Sequence, residues 1–182
     1  MKRPPKAGLD PCKIFDHATH FHASDHRLQN TVPFDKPEQL PLVAHPSMVL
    51  SAFASELYLK CLLCIETGLV PNTHNLKKLF DGLKPSTKSR LEALWDEHLK
   101  SPQRKKIFDH LRTLPEGKNL RPDLEHALDL GADSFIELRY IYENGSVFFL
   151  LGEFPNLLRQ TILERFPELA RPLPQPTRVP SA

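Results

Sequence analysis

Cysteine is scarce in this sequence, and the little present excludes a covalent framework. Three cysteines in 182 residues are an odd number, too few to staple a fold of this size. Cys61 and Cys64 form a C-x-x-C, but they lie in the apolar run YLKCLLCIE, and no second cysteine pair exists to complete a zinc site. They read as reduced thiols buried in a core helix. Charge of one sign is also scarce: 24 Lys and Arg against 22 Asp and Glu leave a net charge of +2, which argues neither for nor against a nucleic-acid partner. Uninterrupted apolar runs are missing, since Glu56 and Lys60, or Gly and Pro, break each one, and no membrane span is expected. The N-terminal MKRPPKAGLD is basic but has no apolar centre of the kind a secretory signal needs, so the expected location is cytoplasmic. There is no internal repeat. The only extended signal, SVFFLLG at 146–152, is too short and solitary to build a sheet.

What remains is helical periodicity, and the chain reads as all-α: one domain, a bundle of five or six helices with a Pro-rich C-terminal tail. A first helix is expected at about 11–30, then the connector TVPFDKPEQLPLVAHP, whose four prolines argue against regular helix. The segment from 47 to 67 is apolar nearly all round, as a central helix would be, and Gly68 with Pro71 ends it. A third helix is expected from Thr73 or His74 to Gly82, and a fourth from Pro85 or Ser86. Ser101-Pro102 opens a short basic helix, QRKKIFDHLRTL, with the look of an ordinary amphipathic surface helix. Pro122 opens a long helix to about Glu143, with Gly131 a weak point, and a last helix covers about 154–166. The expected divisions are 1–46 for the first helix and connector, 47–166 for the bundle, and 167–182 for the tail.

Two blocks carry chemistry. One is SAFASELYLKCLLCIETGLVPNTHNLKKLFDGL (51–83); the other is FIELRYIYENG (135–145). In this order they resemble the HEPN domain, a helical module of bacterial toxin–antitoxin and phage-defence systems: an E-L-x-x-K helix, a Gly-containing turn, an H-x-L opening the next helix, and a late Arg-containing helix. The resemblance spans about 47–166. It implies a homodimer, no cofactor or metal, and, in ribonuclease members, an Arg followed after four to six residues by a His. In such a site Arg stabilises phosphoryl charge while His moves protons. Here Arg139 is followed by Tyr140, and Asn144 stands where the His would be. Asn can hydrogen-bond a phosphate but cannot act as a base near neutral pH. The pairs Arg104–His110 and Arg121–His126 share the spacing, as chance alone would produce.

The resemblance therefore implies a catalytically degenerate dimeric module that binds RNA, a nucleotide, or a partner protein from a neighbouring gene. The alternative is a metal-independent endoribonuclease. Arg139 and Asn144 are the catalytic candidates; Lys60, His74, Arg139, Tyr140, Glu143 and Asn144 are the candidate ligand contacts. A structural role competes with this one. Glu56 and Lys60 lie four apart, as do Arg139 and Glu143 with signs reversed, so packed helices would pair Arg139 with Glu56 and Lys60 with Glu143 in a buried network. His74 reads as a helix-start cap or a partner for a backbone carbonyl, with site function the second reading. In DHATHFHASDH, His22 and His26 share a helical face as zinc ligands do, but no third ligand is in place, and a polar first helix is the default.

Residues after Pro172 contain almost no periodic apolar side chains and cannot offset their ordering entropy. Deleting them is expected to leave the melting temperature nearly unchanged, and a drop of many degrees in a thermal melt would show that the tail docks.

Overall fold

A run of apolar residues with few interruptions forms the axis on which the rest of the chain packs. In the computed structural model, which describes residues 6–30, 40–114, 117–140, 143 and 149–170, this axis is helix α2 (Leu40–Thr67). The protein is mostly helical. Helix α1 (Pro11–Gln29) lies along α2, as do α3 (Leu76–Asp81), α7 (Ser134–Glu137) and α8 (Phe154–Arg165). Helices α4 (Pro85–Leu99), α5 (Pro102–Leu111) and α6 (Leu124–Leu130) complete the set with described bounds. The expectations at Asn144, at 146–148, and in the tail beyond 170 lie outside the described residues; 149–152 is not strand. Residues 167–169, expected to open the tail, instead form a 3-10 turn that buries Leu169 in the core.

Local chemistry fixes half of the described helix starts. Asp10, Asn75, Ser101 and Asp123 each accept a hydrogen bond from a backbone N–H in the first turn they precede, satisfying donors the helix leaves open. Gly68 ends α2 with φ of +71°, a conformation that favours glycine. The next two residues, Leu69–Val70, pair antiparallel with Lys6–Ala7 in a two-residue ribbon, which the sequence did not signal. Cys61 and Cys64 are buried free thiols, directed at the carbonyls of Pro11 and Leu9. Burial pushes the Cys61 thiol up to about 12.

Two expectations change. The connector was expected to stay non-helical through Pro46, but α2 starts at Leu40 and Pro46 lies inside it, so the boundary expected after residue 46 falls within a helix. An internal proline costs a helix ~3 kcal/mol. Here the next residue is anchored: Ser47 hydrogen-bonds the buried Asp25 of α1 and accepts from Gln29 Nε2 at 3.0 Å. The extension also makes Val43–Thr67 long and apolar enough to cross a bilayer by length and composition alone, contrary to the expectation; most of that stretch is buried inside the protein.

The long helix expected from Pro122 to Glu143 is broken. It stops at Leu130 and resumes at Ser134, then tightens into a 3-10 turn at Leu138–Tyr140. At Gly131 a Cβ would sit 2.7 Å from Leu151 Cδ1, so glycine lets Leu151 pack against the break. The carbonyl of Ala132 turns away from the helix to accept the Leu76 N–H at 2.7 Å, and Asp133 accepts from Asn75 Nδ2 at 3.0 Å. The break thus ties the start of α3 to the start of α7.

Two polar knots hold α2 to its neighbours. Near its C-terminus, Glu66 accepts from the Lys84 N–H, from Thr87 and from Arg165 Nη1 at 2.8 Å, joining α2, α4 and α8. Burial alone would raise its carboxyl, but these donors outweigh burial and hold it below the usual range. About two turns earlier on α2, buried His22 of α1 lies 3.4 Å from Tyr58 Oη and against the His26 ring. Burial, reinforced by His26 and Arg159 and opposed by Glu153, pushes His22 down to about 4.

Folding therefore keeps His22 neutral where an unfolded histidine takes up a proton. Its contribution is fully present above the ordinary histidine range near 6.5 and is lost as pH falls toward 4, at a cost on the order of 3 kcal/mol. Buried Asp25, whose carboxyl burial raises, works in the opposite sense, favouring the fold as it protonates. Melting temperature is expected to fall across that acid window, and His22→Leu should flatten the fall when both proteins are melted at stepped pH.

Candidate functional site

The site grows from one carboxylate. Glu56 lies on the buried side of α2, with a side chain only 1% exposed. An ionised carboxylate in such a place needs donors on both oxygens. Lys60, one turn on, places Nζ 2.7 Å from Oε1, and its own side chain is 14% exposed. The second donor is His74, whose Nδ1 lies 3.0 and 3.1 Å from the two oxygens.

His74 reaches Glu56 because it is outside the helix. The expectation had α3 starting at Thr73 or His74, with His74 as its cap or on a carbonyl; instead Asn75 takes the cap, and Thr73 Oγ1 accepts the Asn75 N–H. That leaves the His74 ring free to turn toward α2. A carboxylate can only accept, so Nδ1 carries a hydrogen; in the neutral ring Nε2 then keeps its lone pair, on a side chain that is 52% exposed.

The broken late helix completes the surface. It brings Phe135 of α7 into a stack on Phe53 of α2, with ring centroids 4.8 Å apart. The His74 ring lies 5.8 Å from the same Phe135 ring. Arg139 sets its guanidinium carbon 4.5 Å from the Phe135 centroid and 5.8 Å from that of Tyr140, and donates from Nε to the Phe135 carbonyl at 3.0 Å. The network expected to pair Arg139 with Glu56 and Lys60 with Glu143 is therefore replaced. Lys60 and His74 hold Glu56, Arg139 is exposed, and helical Glu143 is exposed. The reason is the break after Leu130, which rotates residues past Ser134 away from the face a continuous helix would present. Asn144 lies outside the described residues.

His74, Arg139 and Tyr140 thus come from a loop and a 3-10 turn to the Phe135 ring, and Lys60 is linked to them through Glu56. The Lys60 stem also lines a cleft of about 190 Å³ with Ile14, Leu57, Val70 and Lys6. Sequence reasoning missed Phe53 and Phe135 as the floor and Glu56 as the group that orients His74; the E-L-x-x-K and H-x-L patterns were the available signal. The remaining polar concentration, on α1, is structural: Asp25 binds Ser47 and Gln29, and His26 Nε2 lies 3.4 Å from Asn156 Oδ1. Among the described residues no group of three or more His, Cys, Asp or Glu could hold a metal ion. Comparison with family models, curated proteins and solved structures gives no match.

Stability and ligand contact should separate at this site. Arg139→Ala is expected to cost no more than about 1 kcal/mol, because it removes only exposed contacts. Glu56→Ala strands the Lys60 ammonium in a half-closed site and should cost about 3–5 kcal/mol. Denaturant unfolding of the two variants checks the contrast, and equal losses would mean that Arg139 is a core residue.

Proposed function

We propose that the protein is a HEPN-like dimeric module that binds single-stranded RNA or a nucleotide on the surface formed by Lys60, His74, Arg139 and Tyr140. One observation carries this reading: His74 and Arg139, from separate segments, meet at the half-buried Phe135 ring beside exposed Tyr140, next to a carboxylate that is already satisfied. Guanidinium and ammonium groups supply phosphate contacts, and an aromatic edge supplies a sequence-tolerant stacking platform for bases. The Arg139–Asn144 pattern supports binding rather than cleavage through the late helix, since Asn144 has no proton to take or give near neutral pH.

The dimer part of the reading is supported by Ile136 of α7, a large apolar side chain left 39% exposed, which a second copy would cover by two-fold symmetry while Tyr140 stays open to the ligand. Ile136→Asp is expected to shift the protein to a monomer in light scattering.

Titration with a short single-stranded RNA at several salt concentrations tests the binding surface. Arg139→Ala should weaken binding by about 1–3 kcal/mol and lower the salt slope by about 0.7. Tyr140→Ala should weaken it by ~1–3 kcal/mol with the slope kept. Affinity unchanged in both variants would contradict the reading.

A further inference from the structure

We propose that the cleft beside the two-residue ribbon binds a small organic monocarboxylate with an apolar body, its charge held by Lys6 and Lys60. The site goes beyond the RNA-binding reading and does not depend on it. Its walls come from the ribbon and two helices. Lys6 stands opposite Val70 in the ribbon, and residues directly opposite in an antiparallel pair send their side chains to the same face. Lys6 and Val70 therefore reach the cleft together, where α1 adds Ile14 and α2 adds Leu57 and Lys60.

Charge and size narrow the ligand. Among the described residues no acidic side chain lines the cleft. Lys60 has its Nζ 2.7 Å from Glu56 Oε1, so its charge is offset, yet only one of its three N–H donors is used there. Lys6 is exposed and makes no ion pair with another described residue. One positive charge is thus left uncompensated, with spare ammonium donors beside it, which matches a monoanion. A phosphate monoester carries nearly two charges and would leave one unmatched. The volume, about 190 Å³, compares with roughly 150 Å³ for an apolar cavity that takes up benzene. It suits a ring or a short chain, and it is too small for a nucleotide or a long acyl chain. The apolar body gains by leaving water for the Ile14, Leu57 and Val70 walls, while the ammonium groups fix the carboxylate end.

The test is calorimetric titration of the full chain with 3-phenylpropanoate and hexanoate, against 3-phenylpropanamide, phenyl phosphate and dodecanoate. Backbone ¹H–¹⁵N spectra locate each ligand. The two short carboxylates should bind one per chain, weaken as salt rises, and shift the amide signals of Lys6, Leu57, Lys60 and Val70. The neutral amide should bind at least about tenfold more weakly, having lost its charge-assisted hydrogen bonds. Lys6→Gln, at an exposed position, should weaken the carboxylates by about two- to fivefold, and Lys6→Glu by more. Leu57→Trp fills the cleft, and a variant that melts like the wild type should bind neither carboxylate; should it fail to fold, the two Lys6 variants decide. Equal affinity for acid and amide, tighter binding of phenyl phosphate, or Lys6→Glu binding like the wild type overturns the proposal. So does affinity that keeps rising to dodecanoate, which marks unspecific apolar adsorption, and so does the absence of heat and of signal shifts at millimolar 3-phenylpropanoate.

Discussion

A carboxylate cannot be left alone in a helix core, and the surroundings of Glu56 follow from that constraint. With 1% of its side chain exposed, it must either protonate or collect donors. Lys60 can reach it from one turn away on the same helix, so part of the solution is local. The other part is not: His74 arrives from the loop before α3, and that loop keeps its shape only because Asn75 caps α3 and also donates to Asp133 across the break in the late helix. One desolvated charge thus fixes the relation of three segments that are distant in sequence.

The break after Leu130 is the second half of the same arrangement. A continuous helix would keep the Ala132 carbonyl within its own ladder and would direct Phe135 and Arg139 elsewhere. Opening the ladder gives that carbonyl to Leu76, lets Leu151 close against Gly131, and turns Phe135 onto Phe53. An aromatic row then runs from Phe21 of α1 through Phe53 to Phe135, with His74 and Arg139 at its outer end. The exposed groups are therefore held by the core beneath them, as a binding surface requires.

Sequence patterns revealed what local chemistry decides. Gly68 with Pro71, and Ser101 with Pro102, marked helix ends correctly because caps and turns depend on a few adjacent residues. The all-round apolar character of 47–67 identified the central helix for the same reason. Its start was not legible, since Pro41 and Pro46 speak against helix, and only contact with Asp25 and Gln29 of α1 outweighs them. The pairing of Arg139 with Glu56 failed on a geometric assumption: matching four-residue spacings predict facing charges only if both helices are continuous. His74 was placed one residue too close to α3, which hid its ring behind a capping role. The residue types of the site were visible; the partner of each was a tertiary fact.

The claim that Glu56 orients His74 is tested most directly by the side-chain ¹⁵N spectrum of the histidines. The account predicts that neutral His74 holds its hydrogen on Nδ1, with Nε2 bare, and that Glu56→Gln abolishes this preference. A His74 ring protonated on Nε2 in the wild-type protein, or a tautomer indifferent to the Glu56 substitution, would contradict it.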